Sequence, residues 1–324
     1  MPNNRFLKKI SLVVVLLLLL VNFPSSVPDN SHDLASHYAL QYFQQHGYEL
    51  GYRIIQNVGI LGTTAYPETY SGYQYLYFFA IYLLLLVIFC QLVVHLCRNF
   101  RMWQKLAFCT LLVLYTNPDV ITYVFCYISG FYVLYEKRIH DKYTLPIAVC
   151  CSVNALSKSI YLWYFLIFLT IVLISNLKFR TKVIFFVSSA GSIALSYLLL
   201  GYNPLHFFVY IRQSFYFGAG YSETMVLNAN LLSELIAISL FVSLIVMNCA
   251  TVLQSYNSGL FLLLSSFVAF AVYKHSTVRF DEHISVLIEY SQIIPLFFYF
   301  YVSNVKYCVS KNTNCNCTPA VDPA

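Results

Sequence analysis

The stretch "YLYFFAIYLLLLVIFCQLVVHL" (Tyr75–Leu96) contains no Asp, Glu, Lys or Arg from end to end. A helix rises about 1.5 Å per residue, so this run crosses a hydrocarbon layer roughly 30 Å thick. Its apolar residues are continuous rather than alternating. In lipid only a helix or a closed barrel satisfies the backbone, and the absence of alternation selects the helix.

The rest of the chain extends that reading. It is 59% hydrophobic and only 10% charged, with a mean hydropathy of +0.67. Soluble domains carry about 25% charged residues. Ten spans are expected, at roughly 10–24, 75–96, 106–117, 120–135, 143–157, 160–176, 183–200, 229–249, 259–273 and 284–304. The fold class expected is therefore an all-α, polytopic membrane bundle. Residues 1–305 form one membrane domain and 306–324 a short cytoplasmic tail. The start, "MPNNRFLKK" before "ISLVVVLLLLLVNF", has the basic and apolar regions of a signal peptide. No small-x-small site precedes "PSSVPDN", so a retained first span is the expectation.

The net charge of +6 orients the chain and requires no nucleic-acid partner. Alternate loops hold Arg5, Lys8 and Lys9; Arg98, Arg101 and Lys105; Lys137, Arg138 and Lys142; Lys178, Arg180 and Lys182; then Lys306 and Lys311. Of the 19 basic residues, five remain for the other side: Arg53, Lys158, Arg212, Lys274 and Arg279. By the positive-inside rule both termini are expected in the cytoplasm. None of the ten cysteines falls in an outside loop, so no disulfide framework is implied. The outside histidines show no ligand spacing with a carboxylate, and no metal is specified.

The outside loops carry the informative residues. The first, about 24–74, is expected to hold a helix at the membrane surface. Ser31 would cap it, Asp33 would sit in its first turn, and Gly47 would end it. Leu34, Tyr38, Tyr42 and Gln45 would share its apolar stripe. A later loop reads "YIRQSFYFGAGYSETM" (Tyr210–Met225), with a cation, two glycines and a carboxylate close together. The outside face thus mixes carboxylates with separate cations. That mixture suits an anionic head group held by a guanidinium or ammonium, beside a base for a hydroxyl proton. Plainer readings stand beside this one. Asp33 can be only a helix-start residue, Lys158 a snorkelling lysine, Arg279 and Asp281 a solvated cluster, and the glycine pair a turn.

Three segments together resemble polytopic membrane proteins of the GT-C glycosyltransferase type, in one bacterial branch. They are "GYRIIQNVGILG" with Gly51, Gly59 and Gly62; "SFYFGAGYSETM" with Gly220, Tyr221, Ser222, Glu223 and Met225; and "KHSTVRFDEH" with Lys274, Val278, Arg279, Asp281 and His283. The first segment departs from the family's T-Y-G-P with N-V-G-I (Asn57–Ile60), losing a proline. The resemblance implies a bacterial inner-membrane enzyme. It would move a sugar from a polyprenyl-phosphate carrier to a glycan or lipid acceptor on the outer face. It also implies an acidic base in the first outside loop, with Asp33 the first match by position and Asp29 the second. Arg279, Lys158, Arg212 and Lys274 would hold the lipid phosphate, and Tyr221, Glu223, Asp281 and His283 the sugar or acceptor. A flippase of lipid-linked sugars and a non-catalytic membrane scaffold are the alternatives. Transporters tend to place charge at midplane on repeated, broken helices, and no repeat is visible here.

Overall fold

In the computed structural model the backbone is described for residues 4–21, 32–53, 58–65, 75–115, 117–135, 141–224, 231–252, 256–278 and 284–310; within these, the side chains of 4–10, 32–37 and 218–224, with a few others at segment ends, are not. Twelve α-helices account for nearly all of it, and no strand occurs among the described residues. They are α1 (Asn4–Leu20), α2 (His32–Gln45), α3 (Tyr75–Leu96), α4 (Met102–Leu114), α5 (Pro118–Gly130), α6 (Asp141–Ala155), α7 (Ser159–Ile174), α8 (Phe179–Leu199), α9 (His206–Thr224), α10 (Leu231–Val252), α11 (Tyr256–Val278) and α12 (Ile284–Ser310).

Among the described residues, five helices are long and apolar enough to cross a membrane: α3, α8, α10, α11 and α12. The apolar parts of α1, α4, α5, α6 and α7 run only 10–17 residues. The side chains on the outside of the bundle agree with a lipid setting. Only 17% of the apolar window of α10 is buried, and Leu231, Leu232, Leu235, Ile238, Val242 and Val246 point away from the protein. A surface of that kind needs an apolar solvent.

The interior is aromatic. Phe131, at the start of a π-helical turn continuing α5, meets Phe261 of α11 and Phe297 of α12 edge-on, at 5.6 and 5.4 Å. Such edge-to-face contacts suit the ring quadrupoles. α11 packs on α5, α7, α10 and α12, and so lies at the middle of the bundle.

Polar contacts mark two ends of the bundle. At one, Gln104 near the start of α4 accepts hydrogen bonds from the Arg101 amide and from Asn304 late in α12, both at 2.8 Å. Lys105 donates to the Arg98 carbonyl and Lys182 to that of Leu173. At the other end, the chain near Val58 pairs antiparallel with Lys158. There the Gly59 and Leu61 amides donate to Ser157 and Leu156.

Two helices end on glycine as their sequence requires. Gly47 and Gly201 both have φ of +76°. After α2, the Tyr48 amide reaches back to the Phe43 carbonyl and that of Gly47 to Gln44; after α8, Tyr202 reaches Tyr197 and Gly201 reaches Leu198. These paired bonds satisfy the last carbonyls, and the left-handed glycine carries no Cβ penalty. The Phe43 and Tyr48 rings close the first motif at 5.9 Å.

One sequence expectation changes and another gains detail. The face of α2 that packs on the protein carries Leu40, Gln41 and Gln44, all buried, while Tyr42 of the expected membrane-surface stripe is exposed. The cause is the segment after it, because Gln44 donates to the Ile60 carbonyl and accepts from Thr63. The stretch around Gly218 and Gly220 is not a loop. α9 runs through both glycines to Thr224.

Candidate functional site

The site is built on the start of α5. Asn117 caps the helix by accepting the Asp119 amide at 2.9 Å, and Pro118 occupies the first helical position. Proline fits there because that amide has no partner in a helix anyway. This cap aims the Asp119 carboxylate at the start of α7. Its Oδ1 accepts from Lys158 Nζ at 2.6 Å and from the Tyr161 hydroxyl at 2.7 Å. Its Oδ2 lies 3.6 Å from His275 Nε2, near the end of α11. Three helices therefore converge on one carboxylate. Tyr123, one turn below on α5, sets its ring edge-on to Tyr161 and His275 at 5.5 and 5.9 Å.

Lys158 is only 6% exposed. Burying an ammonium is costly unless a counter-charge meets it, and Asp119 supplies that charge. Beside the pair lies a cavity of about 60 Å³, enclosed by α3, α5, α6 and the turn near Thr64.

A second pair, of a carboxyl and an imidazole, anchors the first outside segment. Glu49, just after the α2 cap, is 5% exposed and meets His206 Nδ1 at 2.8 Å. The His206 ring stacks on Tyr52 at 3.9 Å, and Gln213 donates to the Tyr52 carbonyl. Burial lifts the Glu49 carboxyl above its ordinary value, against the opposing pull of His206 and Arg53.

Between the two pairs sits Tyr210 of α9, fully buried, with its hydroxyl donating to the Ala155 carbonyl. Its ring lies against Gly51 and Gly59. A Cβ on Gly51 would come within 2.7 Å of that ring, and one on Gly59 within 2.8 Å of it and 2.5 Å of the Leu156 carbonyl. The glycines of "GYRIIQNVGILG" are thus required by close approach. They hold the first outside segment against α9 and the α6–α7 turn.

The residues singled out from sequence fare unevenly. Lys158 lies in the converged cluster with its ammonium bonded to Asp119. Lys274 precedes His275 on α11 and is partly buried. Arg212 is exposed on α9, its guanidinium 5.9 Å from the Tyr216 ring. Asp33 falls in α2, and Tyr221 and Glu223 in the last turn of α9, with their side chains outside the described residues. Asp29, Arg279, Asp281 and His283 lie outside the described residues altogether. No group of three metal-ligating side chains occurs among the described residues.

Sequence reading passed over Asp119, Tyr161, His275 and Glu49 as site residues. "NPD" ahead of an apolar run (Asn117–Asp119) was the available signal for the first, since a capped acidic helix start facing lipid needs a partner. No family model matches this chain, and neither does any curated protein or solved structure.

Proposed function

We propose that the chain is a GT-C-type membrane glycosyltransferase with ten spans. It moves a sugar from a polyprenyl-phosphate carrier to an acceptor at the end of the bundle where Asp119 and Glu49 lie. The observation that carries this reading is the Asp119 cluster: a half-buried carboxylate meeting a buried ammonium and phenol from a second helix, beside a cavity, in a largely apolar bundle. Ionisable groups in such a setting are costly, and function is the usual reason to keep them. Five helices are long and apolar enough to cross, and in this reading the five shorter apolar ones are counted as spans as well.

In this reading Asp33, or failing it Asp29, takes the proton of the acceptor hydroxyl. Arg279, Lys274 and Arg212 hold the donor phosphate. Lys158 reaches a phosphate only by leaving Asp119, so it comes last among the cations. Tyr221, Glu223, Asp281 and His283 contact the sugar or acceptor. The test is sugar transfer from a polyprenyl-phosphate donor by the full chain in nanodiscs. Asp33→Asn should cut the rate by about 10²–10⁴-fold, the usual worth of a general base, with insertion unchanged. Full activity in both Asp33→Asn and Asp29→Asn would remove the mechanism.

A membrane scaffold is the second reading. It is favoured by the internal balance of the Asp119–Lys158 pair and by the small size of the cavity. It expects Arg279→Gln and Lys274→Gln to leave binding of a polyprenyl-phosphate analogue unchanged.

A further inference from the structure

The two oxygens of Asp119 differ. Oδ1 accepts two short hydrogen bonds, from Lys158 and Tyr161. Oδ2 has His275 Nε2 at 3.6 Å, an ion-pair contact beyond hydrogen-bond range. The Asp119 side chain is 20% exposed and lines the neighbouring cavity, so it can accept from a further donor there.

The hydroxyls along the cavity offer it lone pairs rather than protons. Thr122 spends its hydroxyl proton on the Pro118 carbonyl at 2.8 Å, and Ser157 on Asn154 at 2.6 Å. Both line the cavity, so both can offer it lone pairs. The Asn154 amide stands on the same side. The other wall is apolar, from Leu85, Leu86 and Phe89 of α3 and Phe125 of α5. An anion entering here would meet the Asp119 carboxylate and hydroxyl lone pairs, while Lys158 is already neutralised.

We propose that this cavity binds the hydroxyl end of a neutral amphipathic molecule. The hydroxyl donates to Asp119 Oδ2 and accepts from Asn154, and the attached carbons lie on the α3 wall. A volume of about 60 Å³ admits a hydroxyl and the few carbons beside it. A whole drug-sized ligand needs roughly 300 Å³ or more. A lipid alcohol and one hydroxyl of a glycolipid head group share this chemistry. Asp119 here is an acceptor that positions the hydroxyl. The inference shares its face of the bundle with the proposed transfer but does not depend on it.

The experiment uses the full chain in nanodiscs and an octyl glucoside carrying a photoreactive diazirine, with cross-links mapped by mass spectrometry. Cross-links should fall on Tyr82–Phe89 and Thr122–Phe125. Unlabelled octyl glucoside or octanol should compete at least about tenfold better than octyl phosphate, since a hydrogen bond to a charged acceptor is replaced by repulsion. Competition by octanol alone assigns a lipid alcohol, and by the glucoside alone a sugar hydroxyl. Leu86→Trp, which fills the cavity, should abolish these cross-links. The near-isosteric Asn154→Leu, which removes the donor to the ligand hydroxyl and leaves the ion pair intact, should weaken them several-fold. Equal competition by octyl phosphate, or cross-links unchanged in both variants, would overturn the proposal. Cross-linking without transfer leaves this site and removes the transferase; transfer without cross-linking does the reverse.

Discussion

Burying a charge is costly unless a second residue meets it. Lys158 and Asp119 form the clearest case, at 2.6 Å with side-chain exposures of 7% and 20%. Removing one partner strands the other. Lys158→Met or Asp119→Leu alone should cost about 2–4 kcal/mol, a little below the range for fully buried pairs because Asp119 is partly exposed. The double variant should cost less than the sum, because no unpaired charge remains. Thermal unfolding in detergent reads the cycle, and additive losses would mean that the contact contributes no coupling. Glu49 behaves differently. Its folded-state carboxyl is raised above 4.5 by burial, so the folded chain binds that proton more tightly than the unfolded chain. The group's contribution therefore favours folding below the ordinary carboxylate value and is lost as pH rises through the raised one. The stability difference between wild type and Glu49→Gln should accordingly shift toward wild type on acidification from pH 7 to 4. His206→Ala, which removes the partner of the ionised form, should be more harmful at pH 7 than at pH 4. A pH-independent difference for both variants would contradict this account.

Among the elements, Gly51 and residues 58–64 have an exacting fit against α9 and the α6–α7 turn. The glycines were visible in the sequence, at 51, 59 and 62, but Tyr210 as the reason for two of them was not. A partner so distant along the chain is defined only when α9 folds back over the α6–α7 turn. Gly59→Ala would drive a Cβ into the Leu156 carbonyl at 2.5 Å. Backbone cannot swing aside as a side chain can, so a loss of about 1–3 kcal/mol is expected in thermal unfolding. Tyr210→Phe keeps the ring and loses one hydrogen bond, at about 1 kcal/mol. If Gly59→Ala proves the milder of the two, the close approach is not what requires glycine. The two glycines in α9 carry the opposite lesson. Composition marked them as a turn, yet helix continues through them. Glycine weakens a helix by only about 1 kcal/mol, and an apolar setting penalises unpaired backbone far more.

At the scale of the whole molecule, the lopsided cations and the two polar ends tell one story. Arg98, Lys105 and Lys182 make their contacts at one end of the bundle, and Lys158 and His275 at the other. The tail cysteines Cys308, Cys315 and Cys317 should accordingly resist a membrane-impermeant thiol reagent in intact cells and react after permeabilisation. Reaction in intact cells would invert the orientation and put the proposed site on the cytoplasmic face.

The sequence by itself determined the all-helical bundle, its approximate helix positions, the glycine that ends α2 and the placement of Lys158 at the end opposite Lys105 and Lys182. These follow from local quantities: run length, hydropathy, turn chemistry and charge counting. Only the tertiary structure decided which ionisable groups meet. Asp119, Lys158 and His275 are far apart along the chain, and the energy of burying any one depends on whether another arrives within about 3 Å. It also decided which face of α2 is covered, because Gln44 is buried only by virtue of the Ile60 carbonyl and the Thr63 hydroxyl that bind it. Periodicity reports where apolar residues recur, while a polar side chain goes inside when a distant segment supplies its hydrogen bonds.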